Sequence, residues 1–266
     1  MTDLAAPGPY DPARLDELVE LTRTLGDPWR DLVILAEGNT SVDLGDGTML
    51  VKASGSRMPE ARHGDFVRVR TAELAAVADG PELDDDVLGG SLLEARVEGG
   101  PRPSIEAILH ALCIEEFGAH VVGHTHPIAA NQLLCSDQAE RLAEGILFPD
   151  QAVVCGPGAA LAPYADPGVA LARSVRDAIR ESADRLGEPP RTVWLANHGL
   201  FALGHSAAEV LAVTEMAVKT ARVLSGVLAV GQPRWLDHKN VLRLVGRADE
   251  KDRRRQLVLR DQQERP

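Results

Sequence analysis

The run VVGHTHP at residues 121–127 sets His124 and His126 one residue apart at the close of an apolar, β-branched stretch. Side chains on a strand alternate faces with a period of two, so both imidazoles project to one side while Thr125 faces the other. Neutral imidazole is a common metal ligand, and an open catalytic zinc site takes three protein ligands plus water or substrate. His198, in WLANHGLF, stands at a second strand exit beside a glycine that permits a tight turn, and is the candidate third ligand. Two histidines at a strand end also serve as hydrogen-bonded structural groups, and spacing alone does not separate these readings.

A carboxylate and a set of neutral donors lie upstream. Glu106 falls in the first turn of an expected helix that opens at Pro103 and Ser104. A helix N-terminus favours a carboxylate by about 0.3–1 kcal/mol without any chemistry, and Ser104 is explained equally well as an N-cap. The functional alternative is a base delivered to the mouth of the histidine site. EGNTSV and KASGS supply glycine amides, hydroxyls and a carboxamide, together with Lys52 and Arg57. Such groups cradle a phosphate without a large positive field, and they serve equally as hairpin turns. His63, His110, His120, His205 and His238 read as surface or packing residues.

These groups need elements to hold them. DPARLDELVELTRTLGD carries Leu15, Leu18, Val19 and Leu21 at near-helical spacing. VDLGDG and MLVKASG flank a Gly-Asp-Gly turn and predict a hairpin, and DFVRVR alternates as a further strand. The helix through IEAILHALCIEEFG precedes the strand that ends in the two histidines. A helix in IAANQLLCS, a turn-rich strand region in AVVCGPGAALAPYADPG and a long helix in VALARSVRDAIRESADRLG follow. RTVWLANHG and LFALG predict a strand pair around Asn-His-Gly, and AAEVLAVTEMAVKTARVLSGVLA a long amphipathic helix. No linker or repeat divides residues 1–266, so one domain is expected, with a polar tail from about residue 246.

Composition limits the partners. With 44% hydrophobic and 26% charged residues the chain is ordinary for a globular protein. Its 40 acidic and 28 basic side chains give a net charge of −12, which opposes non-specific binding to nucleic acid or an anionic membrane. No run approaches the roughly 18 apolar residues of a spanning helix. MTDLAAPGPYDPARL lacks the pattern of a secretory signal, so a cytoplasmic protein is expected. Cys113, Cys135 and Cys155 are odd in number, widely spaced and set among apolar neighbours, and read as buried thiols.

In order along the chain, GNTSV, KASGS, PSIEAILH, VVGHTHP, LAPYADPG and ANHGLFALG resemble the motif series of the class II aldolase/adducin family, from about residue 12 to 230. That family includes zinc-dependent fuculose-phosphate and rhamnulose-phosphate aldolases and ribulose-phosphate 4-epimerases. The resemblance implies an α/β fold, a three-layer α/β/α domain with a mainly antiparallel central sheet, and a homotetramer with active sites between subunits. It maps one divalent ion, zinc before manganese or cobalt, onto His124, His126 and His198, and the catalytic carboxylate onto Glu106. It maps phosphate binding onto Asn39, Thr40, Ser54, Gly55 and Ser104, and a tyrosine proton donor from a neighbouring subunit onto Tyr164. In the fuculose-type enzymes a second serine stands where this chain has Ile105, so one phosphate contact is missing. PSIEAILHAL is similar instead to the aldolase domain of bifunctional rhamnulose-phosphate aldolase/dehydrogenase proteins, whose second domain lies outside this sequence. The implied function is aldol cleavage or formation of a ketose 1-phosphate. A 4-epimerase is the alternative, in whose pattern the helix-start acid is Asp rather than Glu. Ile105 leaves open a decarboxylase or another carbon–carbon cleavage, including one of an unphosphorylated or carboxylated substrate. A non-enzymatic adducin-like module would need no metal triad.

Overall fold

The computed structural model describes residues 8–246, and the expected polar tail beyond residue 246 lies outside them. The strands are β1 (Asn39–Asp43), β2 (Thr48–Lys52), β3 (Phe66–Arg70), β4 (Val121–Thr125), β5 (Ala160–Ala162), β6 (Thr192–Leu195) and β7 (Gly199–Gly204). They form one sheet in the order β3-β2-β1-β4-β7-β6-β5, antiparallel except for the β5–β6 pair. The helices are α1 (Pro12–Leu25), α2 (Thr71–Val77), α3 (Asp85–Glu94), α4 (Ala107–Glu115) and α5 (Ile128–Leu134). Then follow α6 (Arg141–Glu144), α7 (Pro149–Cys155), α8 (Val169–Leu186), α9 (Ala207–Val230) and α10 (His238–Gly246).

Strand alternation sorts the apolar side chains into two cores, one on each face of the sheet. Val193, Leu195, Phe201, Leu203 and Val122 pack with α2, α3, α4 and α8. Trp194, Leu200, Ala202 and Val121 pack with α1, α5 and α9 on the opposite face. The result is the expected α/β/α sandwich, with the histidine strand β4 at the centre of the sheet between β1 and β7. Gly123 makes that centre possible, because a Cβ there would stand 2.7 Å from Val210 Cγ1 of α9 and 3.3 Å from Leu25 of α1.

Several local expectations change. Residues 152–155 are helical rather than extended: Pro149 opens α7 at its first turn, and packing of Gln151, Ala152, Val153 and Cys155 overrides the β preference of the two valines. The helix expected from Ser104 begins only at Ala107, which makes Glu106 the N-cap position and leaves Ser104 outside. Helices α2, α3 and α10 were not expected from the pattern. Cys113 and Cys155 are buried, whereas Cys135, at the C-cap of α5, is exposed.

Candidate metal centre and active site

His124 ends up fully buried on the α4 face of the sheet, opposite Asn39 of β1 and Phe201 of β7 in register. Its ring stacks on Phe201 at 4.3 Å between centroids, and its Nδ1 lies 3.1 Å from the Leu200 carbonyl. A carbonyl only accepts, so Nδ1 carries the proton and Nε2 presents a lone pair. His126 follows the last residue of β4, and its backbone amide bonds to the Leu32 carbonyl at 2.8 Å. Its Nδ1 is 3.7 Å from Glu37 Oε2, and its Nε2 lies 2.9 Å from His124 Nε2. Burial is the largest cause pushing the His126 pKa down to about 3, so the ring is neutral at pH 7.

His198 arrives from the β6–β7 turn. Gly199 lets that turn close on β4: a Cβ there would meet the Thr125 carbonyl oxygen at 2.5 Å and His126 Cδ2 at 2.9 Å. The three imidazole rings lie 4.7, 5.0 and 4.9 Å apart, each pair edge to face. Glu106, at the start of α4, completes the group, with Oε1 3.3 Å from His124 Nε2 and 3.1 Å from His198 Nε2. One donor atom from each of the four residues falls within 4.8 Å of all the others.

The chemistry of this donor set fits a divalent ion. Lone pairs and carboxylate oxygens converging at such range repel one another unless a cation or shared protons lie among them. A tetrahedral zinc site with bonds of about 2.0–2.1 Å separates neighbouring donors by about 3.3–3.4 Å, close to the 2.9, 3.1 and 3.3 Å found here. Burial raises the Glu106 pKa, but the imidazoles of His124 and His198 outweigh it and hold the carboxyl well below its usual range.

Around this centre the proposed anion-binding residues divide. Asn39 donates from Nδ2 to Glu106 Oε2 at 2.7 Å and to Ser104 Oγ at 3.3 Å. The turn carrying Ser54 and Gly55 adjoins the Ser104 segment, since Ala53 bridges Pro103 and Ser54 N donates to the Arg102 carbonyl at 3.0 Å. Thr40 is set apart from them. Its register partner is Gly123, so its side chain points to the opposite face and its hydroxyl bonds Thr22 of α1. Ile105 packs against the core beneath α4. Tyr164 is 58% exposed after β5, its hydroxyl donating to Asp166 at 3.0 Å rather than to a member of the cluster. An open cleft of about 510 Å³ beside β5, lined by residues such as Arg141 and Arg185, contains none of these residues.

Sequence reasoning passed over three contributors. His110 is fully buried and bonded to Asn39 and Ser41, although it was expected to be an ordinary packing residue. Its place four residues after Glu106, on the same side of a helix, was the available signal. Glu37 lies beside His126 and the Leu200 carbonyl accepts from His124 Nδ1, and no local pattern marks either. Lys52, noted as a cation, is buried at the end of β2 with Nζ 3.2 Å from the Ala53 carbonyl. Burial lowers its pKa to about 8, against the opposing pull of Asp65 and Glu106.

Among the described residues no helix is long and apolar enough to cross a membrane. The chain is 30% identical over 181 residues to fluorothreonine transaldolase of Streptantibioticus cattleyicolor, a match covering 68% of this chain and 21% of that protein. It is 24% identical over 204 residues to YuxG of Bacillus subtilis, described as an uncharacterized oxidoreductase, covering 73% of this chain and 27% of YuxG. The chain thus spans only about a fifth to a quarter of the length of these relatives. An L-fuculose 1-phosphate aldolase structure shares the fold with a TM-score of 0.67 at 21% identity, covering 88% of this chain and 95% of that one. The Class II Aldolase and Adducin N-terminal domain profile matches residues 16–225, and the chain belongs to the class II aldolase/adducin family.

Proposed function

We propose that this protein is a metal-dependent aldolase that makes or cleaves a carbon–carbon bond of a ketose 1-phosphate. The observation that carries the reading is the convergence of Glu106, His124, His126 and His198 beside the donors of Asn39 and Ser104. His124, His126 and His198 hold the divalent ion, zinc by preference, which when bound supplies Lewis-acid stabilisation of negative charge on substrate oxygens. Glu106 sits at the centre with one carboxylate oxygen held by Asn39 and the other facing the imidazoles. In the aldol direction it takes the carbon-bound proton next to the ketone, and in the cleavage direction it returns that proton. Asn39, Ser104, Ser54 and Gly55 bind the phosphate through an amide, hydroxyls and backbone donors.

Tyr164 protonates the aldehyde oxygen from a neighbouring subunit of a homotetramer. Its exposure supports this placement, as does the apolar surface of Trp29 (93% exposed), Ile34, Leu35 and Ile128. That surface borders the site, because the amides of His126 and Ile128 bond to the carbonyls of Leu32 and Asp31. Mixing Glu106→Gln with Tyr164→Phe subunits then restores activity that neither variant has alone; no restoration removes the shared site.

The deciding experiment measures metal content and screens ketose 1-phosphates and unphosphorylated ketoses for release of dihydroxyacetone phosphate or aldehyde. Stoichiometric zinc and cleavage of a phosphorylated ketose are expected. A metal-free protein inactive across the panel refutes the reading. Ile105 favours a second outcome, cleavage of a substrate without phosphate, because an apolar side chain packed against the core replaces the second serine of the fuculose-type motif.

A further inference from the structure

Behind Glu106 a file of polar groups runs into the core between β1 and α4. Asn39 and Ser41 lie on the same face of β1, and His110 stands one helical turn beyond Glu106. His110 Nδ1 is 2.7 Å from Ser41 Oγ, its Nε2 is hydrogen-bonded to Asn39 Oδ1, and Asn39 Nδ2 donates to Glu106 Oε2 at 2.7 Å. Both His110 and Ser41 are fully shielded from solvent, so no water competes for these bonds.

The carboxylate sets the polarity of the whole file. Ionised Glu106 accepts only, so Asn39 must turn its amide nitrogen toward it and its oxygen toward His110. That oxygen needs a donor, so His110 carries its proton on Nε2. The bare Nδ1 then accepts from the Ser41 hydroxyl. The reverse tautomer would leave a lone pair facing Asn39. The carboxamide would flip, and its oxygen would be set against Glu106 Oε2 at a distance where two acceptors repel.

We propose that His110 is a positioning residue: its Nε2–H fixes the orientation of the Asn39 carboxamide, and through it the Glu106 carboxylate and the Ser104 hydroxyl. One buried proton donor thereby aligns both the base and the anion-binding donor. The assignment rests on the aldolase reading for its catalytic consequence, but its structural content stands on the hydrogen bonds. It also explains a fully buried histidine whose edge contact with Phe201, 5.2 Å between centroids, an apolar ring would supply as well.

Two replacements separate positioning from bulk. His110→Gln places an amide N–H where Nε2 lies and keeps the donor to Asn39. His110→Asn places it where Nδ1 lies, toward Ser41, and leaves Asn39 Oδ1 without a donor. Both lose the ring. Because the Glu106 oxygen is one of the four converging donors, zinc affinity of the full chain without substrate, read by chelator competition, is expected to stay within about threefold of wild type for His110→Gln and to fall roughly 10–100-fold for His110→Asn, the usual cost of losing an outer-shell partner. Deuterium exchange into dihydroxyacetone phosphate is expected to follow the same order, with kcat falling in His110→Asn and recovering in His110→Gln. Equal losses in the two variants would falsify the assignment. Nitrogen-15 NMR of the zinc-loaded wild type needs no variant to fold well: protonated Nε2 and bare Nδ1 at His110 are expected, and a proton on Nδ1 overturns the proposal. Wild type that binds zinc but exchanges no proton defeats the aldolase reading, while the affinity and tautomer results still decide the role of His110.

Discussion

On one face of β1 and β4, Asn39, Ser41 and His124 bond to Glu106, His110 and the Leu200 carbonyl. On the other face of the same two strands, Thr40 bonds Thr22, Gly123 admits Val210 and Leu25, and the buried Thr125 hydroxyl has no hydrogen-bond partner. The residues alternate along the chain, so the two faces share backbone, depth and solvent exclusion. They differ in what their polar groups achieve. The α4 face connects its polar groups into one network that ends at the candidate metal ligands, whereas the α1 and α9 face uses small residues to let helices approach and leaves a hydroxyl unsatisfied. The proposed site lies on one side of the sheet, and stability can be altered from the other.

The largest effect should come from the functional face. Glu106→Gln keeps the shape of the side chain but removes the base, and kcat is expected to fall roughly 10²–10⁴-fold with the thermal transition little changed. Steady-state rates beside melting curves check this, and near-normal proton exchange in the variant would return Glu106 to a structural role. Gly123→Ala attacks the opposite face. Its Cβ would overlap Val210 at 2.7 Å, so about 1–3 kcal/mol of stability should be lost in denaturant unfolding with zinc stoichiometry retained.

A pH-dependent difference is expected at Lys52, at the end of β2. Its pKa of about 8 in the folded protein lies below the ordinary lysine value. The unfolded chain therefore holds the proton more tightly, and burial of the charged amine costs stability in full below pH 8. The cost disappears as pH rises toward about 10.4. Lys52→Met should stabilise the protein at pH 7 by on the order of 1–2 kcal/mol after allowance for solvent screening, and by nothing at pH 10.5. Melting temperatures at the two pH values measure this, and an equal shift at both contradicts it. The smallest effect belongs to Thr125→Val, which replaces an unpartnered buried hydroxyl by a methyl: stability should be unchanged or rise by up to about 1 kcal/mol, with catalysis unaffected.

The family and its three-layer fold were legible in the sequence, because hairpin chemistry, strand alternation and the order of six motifs are local properties. The two-residue alternation also put His124 and His126 on one side. Alternation held the means to separate Thr40 from Asn39, yet family motifs name both. Only the pairing of β1 with β4 showed which of them faces the site. The start of α4 moved from Ser104 to Ala107, with a turn closed by the Ala107 amide on the Ser104 carbonyl between them, and α7 formed where two valines suggested a strand. His110, Glu37 and the Leu200 carbonyl had no motif to mark them, since they meet residues distant in the chain. Sequence determined which residue types were available and which side of each element they would occupy. The tertiary structure decided which of them meet, because a hydrogen bond or a metal bond depends on distances of a few tenths of an ångström, and those are set by register and helix packing.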